Sequence, residues 1–311
     1  MKKTIFADLH NHTQASDGDF SSKELIQRVK QKGIKVVGIT DHDTLEGLEK
    51  AVSQGDAAGV KVLPGVEISV RFNLDFFTGT LHVLAYFSPS RLRDKNFVKE
   101  FKGLLEKGRG DGLVRARIDK INGVFGPHGS IPTLFRDLAF EDISQYSKNA
   151  SRRHFALALE KDLGIQDKAA VNQIIGNASP AYLPSGIDLA QVAQFLKSAP
   201  VVGVLAHPAA GSFPGEGHYK EVLPPVEIVQ TLLPELLSAG IQGLEVFYPG
   251  HTKAHMALVL DWADKHRLLV TGGSDCHDAQ ERPVGICGIS EPEFLRLKQA
   301  IERADKKYGG L

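Results

Sequence analysis

The sequence predicts an α/β fold in which parallel strands are backed by helices and a helical insertion interrupts the alternation. Three observations carry this. Short apolar runs alternate with amphipathic stretches over residues 1–91 and again over 191–311, the pattern of strand–helix–strand crossovers. Strand signals vanish across 92–190, where apolar residues recur at helical spacing instead. The chain has 311 residues and 42% hydrophobic content, enough for one large α/β domain or a barrel with an insertion.

Residues 4–10 read as a short apolar strand that runs into His10-Asn11-His12. Side chains two apart on a strand share a side, so the two imidazoles leave it together. Asp17 adds a carboxylate on the tight turn before Gly18. Ser22 is placed as the cap of a helix with Leu25, Ile26 and Val29 on one face and Gly33 as its stop. Residues 35–44 form a second strand ending at His42, 45–58 a helix stopped by Gly59, and 60–69 a third strand carrying Glu67 near its exit. A turn over 73–79 leads into a strand at 80–87. That return, read as a hairpin, brings His82 back to the level of Glu67.

In the insertion, Val98, Phe101, Leu104 and Leu105 mark one helix, and Val114, Ile118 and Ile121 another, with a Gly-rich break at 108–112 between them. Alternation then resumes. Residues 201–207 are a strand ending in His207, and the Gly- and Pro-rich 210–225 is a loop and a candidate lid. Residues 241–248 are a strand followed by His251 and a helix. Residues 268–277 are the last strand, ending in Asp275 and His277, and a helix over about 291–307 closes the chain.

Composition narrows the function. Lys+Arg and Asp+Glu are equal at 37, so net charge gives no argument for nucleic acid or an anionic membrane. Residues 91–168 nevertheless hold 16 Lys/Arg against 11 Asp/Glu, a basic insertion beside an acidic body, which suits an anionic substrate between them. Two cysteines, Cys276 and Cys287, exclude a disulfide framework and fit a reducing compartment. Asp8 breaks the first apolar run too early for a signal peptide, and no run approaches the roughly 20 apolar residues of a membrane span. The expectation is a soluble cytoplasmic protein with no membrane and no evident protein partner.

Six of the twelve histidines, with Asp17, Glu67 and Asp275, gather at strand ends. That end of a parallel barrel or sheet is the functional face. Nine such donors exceed what one tetrahedral ion takes and suit two or three divalent cations. Mixed N and O ligation without Cys suits zinc, manganese or iron. Paired metals of this kind activate water and clamp phosphate oxygens.

His10-Asn-His-Thr-x-x-Ser-Asp17-Gly, Thr40-Asp-His42-Asp-Thr, Pro64-Gly-Val-Glu67-Ile-Ser, Leu81-His82, Ala206-His207-Pro208 and Gly273-Ser-Asp275-x-His277 resemble, in order, the successive motifs of the PHP (polymerase and histidinol phosphatase) superfamily. The resemblance covers residues 1–90 and 195–311. It implies a distorted seven-stranded (β/α) barrel with a trinuclear site. One ion would take His10, His12, Glu67 and Asp275. A second would share Glu67 and add His82 and His207. A third would take Asp17, His42 and His277. Catalysis would rest on His10, His12, Asp17, His42, Glu67, Asp275 and His277. Length, insertion and motif order are most similar to the branch that hydrolyses nucleoside 3′,5′-bisphosphates and trims short oligonucleotides from the 5′ end.

Ser151-Arg152-Arg153-His154-Phe155-Ala156 resembles that branch's insertion motif, and its physics is readable alone. Ser151 is a good N-cap, which places Arg152, Arg153 and His154 in a first helical turn with free N–H groups. Arginine forks suit phosphate. His251 is a further candidate for touching phosphate or a leaving oxygen. His218 and His128 are expected in loops, His255 and His266 on a helix surface, and Cys276 in packing. Competing classes are a histidinol-phosphate phosphatase, an amidohydrolase-like enzyme and a non-catalytic metal-binding module. No strand-end Lys of the kind that bridges amidohydrolase metals is evident.

Overall fold

The computed structural model describes residues 5–147, 150–214 and 223–308. Its strands are β1 (Ala7–Asp8), β2 (Val36–Ile39), β3 (Lys61–Leu74), β4 (Phe77–Phe87), β5 (Ile187–Asp188), β6 (Val201–Leu205), β7 (Ile241–Phe247) and β8 (Leu269–Gly272). Helices α1 (Ser22–Gln31), α2 (Leu48–Ala58), α8 (Leu189–Ser198), α9 (Val226–Ala239), α10 (Lys253–His266) and α11 (Glu291–Tyr308) belong to the alternating part. Between them lie α3 (Lys95–Leu105), α4 (Asp111–Phe125), α5 (Phe140–Ser144), α6 (Arg152–Lys161) and α7 (Lys168–Ile175).

Seven strands run in the order β1-β2-β3-β4-β6-β7-β8, parallel except for β4. Leu9 N donates to Gly272 O at 3.2 Å, and Asp275 N donates to His10 O at 2.7 Å, so β8 returns to β1 and the barrel is nearly closed. Gly273 is where that return is tightest, because any Cβ there would run into the backbone of His10. Two apolar layers follow from the period of the strands. Val37, Ile39, Val66, Ile68, Val83 and Leu205 join the layer shared with the outer helices. Leu9, Val36, Leu63, Leu84, Tyr86, Val202 and Val204 form an inner cluster, which Phe294, Leu297 and Ile301 of α11 plug.

The hairpin expected from the sequence forms, but its strands are longer. β3 continues to Leu74, and the turn is confined to 75–76. Arg71 and Asn73 hid this extension. Val70 and Phe72, on the alternate face, are buried, while Arg71 reaches outward to Asp188 at 2.9 Å. β5 pairs with this extension, Val70 opposite Ile187, and no sequence signal marked it. The first helix cap also shifts by one. Ser21, not Ser22, makes the capping box, with Glu24 returning to Ser21 N at 2.9 Å. Ser22 bonds Gln54 instead.

Helix α3 packs into the barrel's own core, with Phe101 4.5 Å from Phe195 and 6.0 Å from Phe87, centroid to centroid. From Val114 onward, α4 to α7 surround a separate apolar cluster that includes Ile121, Phe125, Phe155 and Ile174. Ser151 caps α6 as expected, its hydroxyl accepting from Arg153 N. His218 and half of the expected lid, 215–222, lie outside the described residues. No helix among the described residues is long and apolar enough to cross a membrane.

Candidate metal centre

The nine strand-end donors converge. Glu67, fully buried, is their hub. Its Oε2 lies 3.1 Å from His10 Nε2, 3.1 Å from His12 Nε2 and 3.2 Å from His42 Nδ1. Its Oε1 lies 3.0 Å from His82 Nδ1 and 3.1 Å from His207 Nε2. His82 reaches this level because β4 pairs it opposite Ser69, two residues beyond Glu67. Asp275 Oδ1 is 3.1 Å from His12 Nε2, and Asp17 Oδ1 is 3.2 Å from His277 Nε2.

Three overlapping sets have ligand atoms mutually within 4.8 Å: His10, His12, Glu67 and Asp275; His42, Glu67 and His82; and His12, Asp17, His42 and His277. The first coincides with the expected first ion. The other two differ in detail, since His42 reaches both and His12 joins the Asp17 set. His207 stands beside the middle set, 3.3 Å from His82 Nδ1.

The donors fit divalent cations. His10 Nε2 and His12 Nε2 face one another at 3.2 Å, a repulsive arrangement of lone pairs unless a proton or a cation lies between. Glu67 Oε2 is buried without a hydrogen-bond partner, although three imidazole nitrogens surround it. Burial opposes charge on His12, yet the carboxylates of Asp275 and Glu67 beside it overcome that and lift its pKa to about 9. Burial likewise opposes ionisation of Glu67, yet His10, His42 and His82 hold it well below the usual carboxylate range. Burial holds His42 and His277 below the usual imidazole range, so the pocket offers ionised carboxylates beside neutral imidazoles, a donor set that suits cations.

The backbone supports this cluster at a cost. Among the described residues four non-glycines have positive φ, and three of them sit at strand exits here: Asp43 (48°), His207 (33°) and Asp275 (49°). Such geometry in non-glycine residues marks strain kept for function.

Several supporting residues escaped the sequence reading. Glu245, fully buried in β7, accepts from His10 Nδ1 at 3.1 Å and from His207 N at 2.9 Å. Tyr248 donates its hydroxyl to Asp275 Oδ2 at 2.7 Å, and Arg282 pairs with the same oxygen. Asp275 Oδ1 is thereby left to the histidines. Asp41 ties down the loop after β1 by accepting from Thr13 N and Oγ1 and from Ser16 Oγ. Arg109, from the Gly-rich break before α4, pairs with buried Asp43 and approaches Ser69 Oγ at 3.4 Å. Its Nη1 is buried without a hydrogen-bond partner.

The residues expected to hold substrate divide. His154 is buried, and its Nδ1 accepts from Ser151 N at 2.9 Å, so its proton sits on Nε2. Arg152 donates to Asn177 Oδ1 and lies 5.6 Å over the Tyr182 ring. Arg153 corrects its expectation. It donates to Asp19 Oδ1 at 2.9 Å and lies 3.9 Å from Asp278, strapping α6 to the barrel rim with its charge spent on acids. His251 is a second correction. It is buried, Nδ1 donates to Val246 O at 2.8 Å and Nε2 accepts from Ala209 N at 3.1 Å. No ring nitrogen remains for a leaving oxygen, and burial drops its pKa to about 4. Its role is to fix the loop after β6. Cys276 points into packing, as expected.

Comparison with known proteins agrees with this geometry. The chain is 27% identical over 287 residues to a phosphoribosyl 1,2-cyclic phosphate 1,2-diphosphodiesterase of Eggerthella lenta, covering 88% of this chain and 94% of that one. It is 25% identical over 276 residues to a 5′-3′ exoribonuclease of Haemophilus influenzae, covering 87% and 89%. It is 27% identical over 311 residues to a 3′,5′-nucleoside bisphosphate phosphatase of Chromobacterium violaceum, covering 95% and 98%. A solved structure from Bifidobacterium adolescentis, described as a candidate metal-dependent phosphoesterase, shares the fold with a TM-score of 0.70 at 23% identity, over 94% of this chain and 96% of that one. Residues 8–161 match the PHP domain model, and the histidine and carboxylate pattern at the barrel mouth agrees with a PHP domain in that part of the chain.

Proposed function

We propose that the protein is a metal-dependent phosphoesterase that hydrolyses phosphate monoesters of nucleotides, with 3′,5′-nucleoside bisphosphates as its preferred class and the 5′ ends of short RNA as a secondary one. The observation that carries this is the trio of donor sets sharing Glu67, His12 and His42 under a basic insertion. Divalent cations bound there, of manganese, iron or zinc, would acidify water and neutralise charge developing on phosphorus. The chain's residues would do the rest. Glu67, Asp275 and Asp17 supply the anionic donors, and His10, His12, His42, His82, His207 and His277 the neutral ones. Glu245 orients His10, while Tyr248 and Arg282 orient Asp275. Residues 92–190 act as the substrate cap. From it, His154 offers an N–H close enough to act electrostatically on Asp17, and Arg109 brings a buried cation beside His42. The two free cysteines accord with a reducing, cytoplasmic setting.

The test is phosphate release by the purified protein with added manganese. The panel holds adenosine 3′,5′-bisphosphate, 5′-phosphorylated tetranucleotide RNA, histidinol phosphate and ribose 5-phosphate 1,2-cyclic phosphate. Fastest turnover of the bisphosphate supports the reading. The relative from Eggerthella lenta makes cyclic diester cleavage the second reading, and faster opening of the cyclic ester would install it. No turnover of any ester, with the ions bound, would refute both.

A further inference from the structure

Two arginines of the insertion, Arg109 and Arg153, grip acids that stand next to donors of a single set. α4 to α7 surround an apolar cluster of their own, so their seat at the barrel mouth depends on contacts at the edge. Arg109 pairs with Asp43, which follows His42 directly, and approaches Ser69 Oγ more distantly, at 3.4 Å. Arg153 donates to Asp19 Oδ1 at 2.9 Å and lies 3.9 Å from Asp278 Oδ2. Asp19 lies two residues past Asp17, and Asp278 follows His277 directly. His42, Asp17 and His277 are three of the four donors in the set that His12 completes.

Arg153 bridges the loops after β1 and β8. Those loops already meet there, since Asp19 N donates to His277 O at 2.7 Å. Each is braced from within. Gln14 N donates to Phe20 O at 2.9 Å and Gly18 N to Thr13 O at 3.0 Å, and a Cβ on Gly18 would run into the His12 carbonyl. Asp278 Oδ1 accepts from the N–H groups of Gln280 and Glu281 at 2.8 and 2.7 Å, which leaves Oδ2 facing Arg153. In loops so braced, a displacement of Asp19 or Asp278 carries to the donor beside it. Asp17 Oδ1 stands 3.2 Å from His277 Nε2 and 3.8 Å from His12 Nδ1, and Oδ2 is 3.9 Å from His42 Nε2. A divalent ion such as zinc holds donors of these kinds at about 2.0 to 2.2 Å, so a displacement of about 0.5 Å in either loop costs affinity.

We propose that docking of the insertion and occupation of the His12, Asp17, His42 and His277 set by a divalent cation are linked, with Arg153 as the positioning residue that holds the Asp17 and His277 loops at cation-binding separation. This rests on the metal-dependent reading above and extends it to how one of the ions is controlled. The linkage is reciprocal. A docked insertion tightens the set, and a cation in the set fixes the two loops on which Arg153 closes. The sign separates this from simple charge. Arg153 is a cation, so by Coulomb attraction and repulsion alone its removal would tighten binding of a metal ion nearby. A positioning role demands the opposite.

Two measurements test it. The first is manganese content at graded free manganese for the wild type, Asp17→Asn, Arg153→Gln and Arg153→Lys, with circular dichroism confirming the fold. The Arg153 side chain is 35% exposed and that of Asp19 55%, and such pairs contribute little to stability, so the variants fold. Asp17→Asn identifies the ion of this set as the one it loses. Arg153→Gln should raise the manganese concentration that half-fills that same ion about tenfold, the low end of the range for residues supporting a metal ligand, and leave the other ions unshifted. Arg153→Lys should recover part of the loss. An unchanged or tighter ion in Arg153→Gln would overturn the proposal, as would an equal shift of every ion, or an Asp17→Asn protein that keeps its full complement. The second is hydrogen exchange in peptides covering 151–161. Manganese should slow it several-fold in the wild type and not in Asp17→Asn; slowing that persists in Asp17→Asn, or none in the wild type, would overturn the linkage. Neither measurement needs turnover. A protein that turns over no ester yet shows both effects loses the phosphoesterase reading and keeps this one, and an active protein with neither effect does the reverse.

Discussion

Glu245→Gln isolates the support of the metal centre from its donors. Glu245 is fully buried, and both its oxygens stand 3.1 Å from His10 Nδ1. Oε2 also accepts the N–H of His207 at 2.9 Å. The carboxylate therefore holds the His10 proton on Nδ1. Nε2 is left as a lone pair 3.1 Å from Glu67 Oε2 and 3.5 Å from Asp275 Oδ1. A glutamine keeps the shape but replaces one of the two oxygens beside His10 Nδ1 with an N–H donor. With its oxygen toward His207, its amide N–H faces His10 Nδ1. The imidazole must then move its proton to Nε2, the atom that should hold a cation. Partners of this kind contribute about 10- to 100-fold in metal affinity, or about 1.4 to 2.8 kcal/mol. The assay is manganese content after dialysis against graded chelator, with circular dichroism confirming the fold. Metal retention equal to wild type would refute the tautomer argument, and Glu245 would then be a structural acid only.

Three further outcomes follow from the geometry. Phe101→Ala removes a fully buried ring that meets Phe87 and Phe97 edge-on and Phe195 at a tilt; urea unfolding should show a loss of about 3 to 5 kcal/mol, and a loss under about 1 would mean that α3 is not part of the barrel core. Arg109→Met leaves buried Asp43 with only Ser69 N and Oγ as partners; breaking such a pair costs about 3 to 5 kcal/mol, Asp43→Asn should relieve part of it in the double variant, and strict additivity would deny the pairing. Burial, helped by the negative charges of Asp8 and Glu245, pushes the Cys287 thiol up to about 12. Since the folded value lies above the unfolded one, that contribution to stability is complete below about pH 9 and is lost as pH rises toward 12. Iodoacetamide at pH 8 should leave Cys287 unmodified in the native protein and label it in urea, and rapid native labelling would contradict the burial.

The parts of this protein that were legible in its sequence are those whose signal is local. His10 and His12 alternate on a strand, Glu67 and His82 need only a hairpin, and Ser151 announces its helix by side-chain chemistry. Each is written within a few residues. Glu245 was not legible for the opposite reason. In Leu244-Glu245-Val246 a lone carboxylate on a strand reads as a solvent-facing position, and only closure of β8 onto β1 makes its side the barrel interior. Arg109 sits in a glycine-rich break that reads as a connector; the burial that gives it meaning comes from Asp43, 66 positions earlier. His251 erred the other way. Its place after a strand resembled that of the site histidines, but the loop it enters bends back, and the backbone at Val246 and Ala209 takes both of its nitrogens.

That asymmetry says what the barrel mouth does. Its donors come from strand ends, so they could be arranged by the α/β alternation alone, but their protonation and direction come from residues that only the closed fold brings near. Asp275 shows the division. Its position is set by the tight return at Gly273 and its φ of 49°, while Tyr248, brought from the exit of β7, and Arg282, seven positions downstream, engage Oδ2 and turn Oδ1 toward His12. A module that merely held a cation for stability would have no need of a buried cation beside His42. With cations held by those donors, an anionic ester at the mouth would be drawn by them and by Arg109 of the insertion.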